Sequence, residues 1–501
     1  MAAASDVIGG STPAAEKQPP ALSTIFFTEM WERFSYYGMR ALLVLYLVNS
    51  LGWERANALE LYGIYTGLVY LSPMLGGYLA DRWLGYRKAA VIGALTMALG
   101  HFAMAFEPLL YLALGLLIAG NGFFKANMAT LLGSVYREND PRRDGGFTIY
   151  YMGVNLGAFI APLVAGTLGE KVGWHYGFAA AGVGMCFGLA QFLLGQARLG
   201  SAGMREGRAR LDRTDALQIV GISLAMIPLV YLVMFAWGFV GPLWGALPFA
   251  AKTLAAFVIV GALWFAGRKP VGAADRETIT GEEWQRIAAI VIMGFFVIFF
   301  WMGFEQAGGT MNLFADKLTD RTVGGWEIPA SYFQSINPVA IVLLGLPIAA
   351  FWGRLDRSRH ALSTPTKMAI GMIILGSGFV VLAIADSRAQ VVGKVGPWWL
   401  VAAYLLHTVG ELCLSPVGLS MVTKLAPTRV AALMMGVWNL ANAAANYLAG
   451  ILEELLKGSS MPLYWFLVGS SIGAGVVLLA ITPLVKRLMH EGRPAGRSPT
   501  P

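Results

Sequence analysis

Four ionisable residues lie close together in the first long apolar region of the chain. The stretch TEMWERFSYYGMR, residues 28–40, contains Glu29, Glu32, Arg33 and Arg40. At 3.6 residues per turn of a helix, these four residues share one face with Tyr36 and Tyr37. A charge costs roughly 2.5–3.5 kcal/mol at the centre of a membrane helix unless it faces protein, water or an opposite charge. The segment therefore predicts a polar stripe that faces inward and could hold protons or a charged solute.

The rest of the chain has the composition of a protein with many membrane spans. Its 501 residues are 56% hydrophobic and only 13% charged, with a mean hydropathy of +0.60. A soluble protein of this length needs more charge to cover its surface. With the N-terminus inside, about 25 of the 37 basic residues fall in cytoplasmic segments and about 7 in outer loops, which is the positive-inside bias. The net charge of +8 is thus explained by topology and predicts no nucleic-acid partner.

Apolar runs of membrane-spanning length predict fourteen helices in an all-α membrane protein. Their approximate limits are 24–50, 57–80, 89–106, 108–133, 145–170, 174–197, 215–238, 243–266, 284–307, 330–352, 366–386, 397–424, 430–456 and 463–485. Two basic or polar linkers divide these runs into six, two and six. The layout predicts two six-helix bundles that rock around a central site, with an inserted two-helix hairpin.

The predicted domain limits follow from this division of the chain. They are a cytoplasmic tail at 1–22, an N-terminal bundle at 23–197, a linker at 198–214, the hairpin at 215–267, a linker at 268–283, a C-terminal bundle at 284–487 and a cytoplasmic tail at 488–501. The tail at the N-terminus shows no basic region followed by an apolar one, so no cleaved signal peptide is expected.

An Asp-Arg pair recurs after the second helix of each predicted bundle. Asp81 and Arg82 stand in GGYLADRWLGYRK, and Asp356 and Arg357 stand in WGRLDRSRH. Both pairs resemble the loop motif of the major facilitator superfamily, in which such charges lock the inner helix ends during transport. The resemblance implies that fold and a gating role for these four residues.

EMWERFSYYG, residues 29–38, matches the pattern ExxERFxYYG at every fixed position. This pattern resembles the signature of one branch of that superfamily, the proton-coupled oligopeptide transporters. The stretches 76–100 and 147–159 resemble its second-to-third-helix and fifth-helix signatures. The layout of six, two and six helices is similar to that of the bacterial members, so the resemblance extends over residues 24–485.

The resemblance also implies roles for individual polar residues. Proton coupling is expected of Glu29, Glu32, Arg33, Lys125 and Glu305. Peptide binding is expected of Arg40, Tyr36, Tyr37, Tyr70, Lys125, Asn155, Asn337, Glu411, Trp438 and Asn442. Asn442 stands where some relatives have serine. Asn439, Asn442 and Asn446 could equally form a hydrogen-bonded seam between helices, and for Asn439 and Asn446 both interpretations stay open.

The predicted function is proton-driven import of di- and tripeptides across the bacterial inner membrane by alternating access. Protons would be the coupling ion, with no other cofactor and no metal. The expected partners are small peptides, peptide-like drugs and membrane lipids, and the protein is expected to act as a monomer with both termini in the cytoplasm. Alternatives are a carrier of the same fold for nitrate or drug-like molecules, a membrane-embedded peptidase, and a receptor without transport. No HExxH motif supports the peptidase.

Overall fold

The described part of the computed structural model is almost entirely helical. It covers residues 17–137, 140–204, 210–246, 280–359, 361–427 and 430–490. The first six helices are α1 Ala21–Asn49, α2 Arg55–Leu79, α3 Tyr86–Ala103, α4 Leu110–Val135, α5 Arg143–Thr167 and α6 Trp174–Leu194. Single wider turns, Ala80–Leu84 and Leu168–Val172, extend α2 and α5.

The inserted region and the second bundle follow in the chain. Helix α7 is Arg213–Ala246, and the later helices are α8 Gly281–Phe304, α9 Thr310–Leu318, α10 Ile336–Asp356, α11 Thr364–Val392, α12 Trp398–Leu425, α13 Ala431–Leu455 and α14 Leu463–Met489. Strands β1 Thr322–Val323 and β2 Trp326–Glu327 form a small antiparallel pair between α9 and α10. Tight turns at Glu305–Gly308 and Ala330–Ser335 precede α9 and α10.

Membrane-spanning helices satisfy their backbone groups internally, which is why apolar sequence of this kind folds as helices. Within the described ranges, nine helical stretches have the length and hydropathy needed to cross a membrane. Helix α1 does not meet the hydropathy requirement because of its four charges.

A capping box starts α8: Thr280 Oγ1 accepts a hydrogen bond from the Glu283 amide, and Glu283 Oε2 accepts one from the Thr280 amide.

The described helices account for thirteen of the fourteen predicted spans, with ends that differ from the predicted limits by up to eight residues. The predicted eighth span, 243–266, lies mostly outside the described residues, so the count of fourteen stays a prediction. Helix α12 is continuous past Pro416, whereas the helical chain breaks at Glu305, between α8 and α9.

The two bundles pack tightly against each other through α2 and α13. A Cβ atom added to Gly63 would lie 2.7 Å from the Cα atom of Gly450, and one added to Gly67 would lie 3.1 Å from the carbonyl oxygen of Ala443. Only glycine at these positions allows the two backbones to approach so closely. This contact lies toward the end of the molecule where α1 ends and α2 begins, which we name the outer end after the predicted topology.

Polar contacts between the bundles are concentrated at the same end. Both carboxylate oxygens of Glu170, just after α5, accept hydrogen bonds from the amides of Ala330 and Ser331 at 2.7 and 2.9 Å. Arg55 donates to Glu453 at 2.8 Å, and Asn312 donates to the carbonyl of Ala41 at 2.8 Å. The molecule is therefore closed at its outer end.

Enlarging Gly63 tests this closure. Gly63→Leu places a side chain against the backbone of α13, and overpacking of this kind costs about 1–3 kcal/mol. At about 1.4 kcal/mol per tenfold change, the equilibrium should shift toward an open outer end by fivefold or more. Labelling of a Leu59→Cys variant by an impermeant maleimide should rise, because Leu59 is buried in the closed end. Gly469→Leu is the control, because a Cβ atom there meets nothing within 4 Å; equal labelling in the two variants would contradict this closure.

Candidate functional site

The first group of paired charges lies in the middle of α1. Arg33 donates hydrogen bonds to both carboxylate oxygens of Glu32, one of them at 2.9 Å, and its Nε lies 3.2 Å from Oε1 of Glu29. Asn121 of α4 also donates to Glu32, at 3.4 Å. Oε2 of Glu29 is buried and has no hydrogen-bond partner among the described residues. One guanidinium thus serves two carboxylates, which leaves this group one positive charge short.

The second pair joins the two bundles directly. Arg40 of α1 contacts Glu305, at the break after α8, with 2.5 Å between Nη2 and Oε2. The Nε of Arg40 donates to the Tyr62 hydroxyl at 2.6 Å. All three side chains are buried. The helix break thus places the Glu305 carboxylate against a cation of the other bundle.

Lys125 of α4 has no carboxylate within ion-pair distance among the described residues. Its Nζ lies 4.5 Å from the centre of the Tyr70 ring, a cation–π contact. Lys125 is half-buried, and its charge interacts at longer range with Arg33, Glu32 and Glu29. It therefore lies near the charged residues of the first-helix signature, but it does not share in the pairing of Glu32 in this conformation.

A second polar group lies in the C-terminal bundle, between α10 and α12. The side-chain amide of Asn337 donates to Oε2 of Glu411 at 2.8 Å and to Oγ1 of Thr408 at 3.1 Å. Asn337 and Glu411 are half-buried. Glu411 lies within electrostatic range of Tyr37 in the other bundle. The Glu411 carboxylate and the Lys125 ammonium thus lie on different bundles. Neither has a direct partner of opposite charge among the described residues.

Aromatic rings line the α1 side of the site. The rings of Tyr36 and Tyr37 are 5.2 Å apart and nearly perpendicular. The guanidinium of Arg33 lies 5.4 Å from the Tyr36 ring, and that of Arg40 lies 5.7 Å from the Tyr37 ring. These contacts hold the two cations on the same face as the aromatic rings, which confirms the predicted stripe.

Two of the predicted binding residues, and one residue of the possible interhelical seam, are turned toward their own helices. Asn155 donates to the carbonyl of Tyr151 at 2.9 Å, and Asn442 donates to that of Trp438 at 2.9 Å. Asn446 likewise donates to the carbonyl of Asn442. With the described residues, these three amide groups therefore form no seam between helices. Trp438 is buried, and its ring packs over Gly418 of α12.

The predicted gating residues make local contacts. Asp356 pairs with Lys367 at 2.7 Å, which ties the end of α10 to the start of α11. Arg82 donates to the Tyr78 hydroxyl one turn earlier, at 3.0 Å. Asp81 and Arg357 form no ion pair among the described residues. The cross-bundle contacts that the sequence did not predict lie at the other end, at Glu170.

Sequence reasoning also missed the polar partners of the predicted site residues, namely Tyr62, Asn121 and Thr408. Asn121 interrupts an apolar run, so its polarity alone could have suggested a role. Tyr62 and Thr408 carry no such signal, because both residue types are common in membrane helices. Only the packing of the helices shows which charged groups they contact.

The charged groups together define a central charge cluster in the heart of the molecule. Its members are Arg33, Arg40, Lys125, Glu29, Glu32, Glu305 and Glu411. Three cations thus face four carboxyl groups. Because charge is expensive to bury, binding of one proton would bring the cluster to neutrality.

Comparison with known proteins places this architecture in a family. The family model described as the POT family matches residues 87–221 and 259–465, which is most of the chain. A peptide transporter of Yersinia enterocolitica is 35% identical over 98% of this chain and 99% of its own length. The dipeptide and tripeptide permease A of Proteus mirabilis is 33% identical over 88% of this chain and 87% of its own. A crystal structure of the peptide transporter POT in complex with sulfate superposes with a TM-score of 0.78 at 36% identity, covering 95% of this chain and 97% of that one.

The buried pair of Arg40 and Glu305 can be tested by a double-mutant cycle. Glu305→Gln alone strands the Arg40 guanidinium, and Arg40→Gln alone strands the Glu305 carboxylate; each should destabilise the protein by about 3–5 kcal/mol. The double variant should cost clearly less than the sum, because it strands neither charge. Thermal unfolding in detergent compares the stability of the unmodified protein, the two single variants and the double variant. Additive losses would mean that the two side chains do not interact.

Proposed function

The chain belongs to the POT family, and from this premise we propose that it imports di- and tripeptides together with protons by alternating access. It is an integral membrane protein and a transporter, not an enzyme. One observation carries the choice of substrate. Lys125 on the N-terminal bundle and Glu411 on the C-terminal bundle are half-buried charges of opposite sign with no ion-pair partner among the described residues.

A short peptide is chemically suited to this pair of charges. It is a zwitterion whose carboxylate and ammonium are separated by one or two peptide bonds. Its carboxylate would lie at Lys125, and its ammonium would lie at Glu411 and Asn337. Arg40 was expected to help bind the peptide, but in this conformation Glu305 and Tyr62 contact its guanidinium. Lys125 is thus the cation we assign to the peptide here.

Broad tolerance for peptide side chains follows from the remaining lining. Tyr36, Tyr37, Tyr70 and Trp438 offer apolar surface rather than fixed charge. The amide oxygen of Asn155 accepts no hydrogen bond from a described residue, so it could contact the peptide backbone. A pocket that recognises the two ends and the backbone can accept many sequences. Peptide-like drugs with the same two charged ends are expected to bind in the same way.

Proton coupling is assigned to the central charge cluster. Protonation of Glu29 or Glu32 removes one of the two carboxylates that share Arg33, so the positive field reaching the peptide carboxylate increases. Binding of the proton then favours binding of the peptide, and both bias the equilibrium between two conformations. One proton crossing 100 mV releases about 2.3 kcal/mol, which supports roughly fifty-fold accumulation of peptide.

Alternating access requires that the closed outer end can open. We assign the conformation described above to the inward-facing state, because the polar contacts between bundles lie at the outer end. Opening would break the Arg40 to Glu305 pair and the two hydrogen bonds that Glu170 accepts. In the opposite state we assign Asp81, Arg82, Asp356 and Arg357 to locking the inner end.

The predicted placement in the cell is part of the same proposal. We assign the chain to the cytoplasmic membrane, with both termini in the cytoplasm and the domain limits given by the sequence. A single chain contains every residue of the central charge cluster, which supports action as a monomer. Lipids would surround the exposed apolar side chains of the bundles.

Competition in liposomes tests the substrate class. The purified protein should take up labelled dialanine under an inside-negative potential, and unlabelled di- and tripeptides should compete. Nitrate and free alanine should not compete, since neither carries two opposite charges at the spacing of a peptide. Competition by nitrate alone would overturn the proposed substrate, and recovery of free alanine by mass spectrometry would indicate hydrolysis.

Removing the Lys125 charge tests the orientation of the peptide. Lys125→Gln should weaken dialanine binding by about tenfold or more, because a charge-assisted contact with the carboxylate contributes about 1.5–3 kcal/mol. Dialanine amide lacks that carboxylate, so its much weaker binding should be almost unchanged by the substitution. Inhibition constants against labelled dialanine give both values. Equal losses for the two ligands would show that Lys125 does not contact the carboxylate.

A further inference from the structure

A chain of hydrogen bonds runs behind the candidate binding site in the C-terminal bundle. The Thr408 hydroxyl donates to the carbonyl of Tyr404 at 2.7 Å, one turn earlier on α12. The same hydroxyl oxygen accepts from the Asn337 amide at 3.1 Å, and that amide also donates to Glu411 at 2.8 Å. Thr408 is fully buried, whereas Asn337 and Glu411 are half-buried.

This chain determines which end of the Asn337 amide is available. The hydrogen of the Thr408 hydroxyl is committed to the Tyr404 carbonyl, so at Asn337 the hydroxyl can only accept. Both N–H groups of Asn337 are then used, one by Thr408 and one by Glu411. Oδ1 of Asn337 is the end of the amide that has no partner among the described residues. Oε1 of Glu411 has none either.

The Glu411 carboxylate by itself does not hold this orientation under all conditions. As long as Glu411 is ionised, its oxygen attracts the Asn337 N–H. A protonated Glu411 can donate, and it would then favour the opposite orientation, with Oδ1 of Asn337 turned toward it. Thr408 opposes that turn in both protonation states, because its oxygen still requires a donor.

We propose that Thr408 is a positioning residue that fixes the Asn337 amide, so that the site presents two acceptors to a ligand that carries a free amino group. The inference rests on the proposed peptide transport and deepens it. Oδ1 of Asn337 and Oε1 of Glu411 would accept from a primary ammonium. An N-acylated peptide offers one N–H and no positive charge, so the site rejects it. Thr408 contributes to this selectivity without touching the ligand.

The experiment compares two ligands in liposomes that hold the full-length protein. Inhibition constants for dialanine and N-acetyl-dialanine are measured against exchange of labelled dialanine. In Thr408→Val, which keeps the shape but removes the hydroxyl, the preference for dialanine should fall by about three- to tenfold, the size of one hydrogen bond. The maximal exchange rate should stay near that of the unmodified protein. Thr408→Ser keeps the hydroxyl and should restore the preference.

The possible outcomes separate this inference from the proposed function. Equal weakening of both ligands in Thr408→Val, or loss of the preference in Thr408→Ser as well, would show a merely structural role and overturn the inference alone. Thr408→Ala provides the same comparison if the valine variant does not fold. If the unmodified protein exchanges no dialanine, the proposed function fails, and the positioning role fails with it.

Discussion

The structure depends on the need to neutralise charge in a place that water barely reaches. Seven ionisable side chains of the central charge cluster lie within an apolar helix assembly, and four of the seven are acidic. A buried ion needs a partner or it loses its charge. Arg33 is divided between Glu29 and Glu32, while Arg40 is claimed by Glu305 across the bundle interface. When the bundles move, or when a proton or solute enters, the pairing between these cations and carboxylates changes.

The charged groups differ in how firmly they are paired, and this difference explains how one site can bind both a peptide and a proton. The Arg40 to Glu305 pair joins the two bundles, and in the proposed cycle it holds them together while the outer end is closed. Lys125, which rests on the Tyr70 ring, and Glu411, which is held by a neutral amide, are less firmly engaged. A zwitterion could supply the opposite charge that Lys125 and Glu411 each lack. A proton could neutralise one of the two carboxylates that share Arg33, so the two solutes need not compete for the same atoms.

Much of this arrangement was accessible from the sequence because membrane insertion penalises charge strongly. Glu29, Glu32, Arg33 and Arg40 could be placed on one inward-facing stripe from helical spacing alone, and their contacts confirm it. The cross-bundle partner of Arg40 could not be predicted in this way, because it depends on a helix break at Glu305 and on how two bundles dock. The role of Glu170 was missed for a related reason. A glutamate near the end of a span reads as an ordinary surface residue until the amides of Ala330 and Ser331 are found against it.

The central claim, that protons and peptide are coupled through the charge cluster, is tested most directly by internal pH. Liposomes containing the protein receive an inside-negative potential through valinomycin, and a trapped dye reports acidification when dialanine is added outside. The account predicts acidification that depends on the peptide and disappears in Glu32→Gln, while that variant still exchanges labelled dialanine. Exchange of dialanine without any acidification in the unmodified protein would contradict coupling.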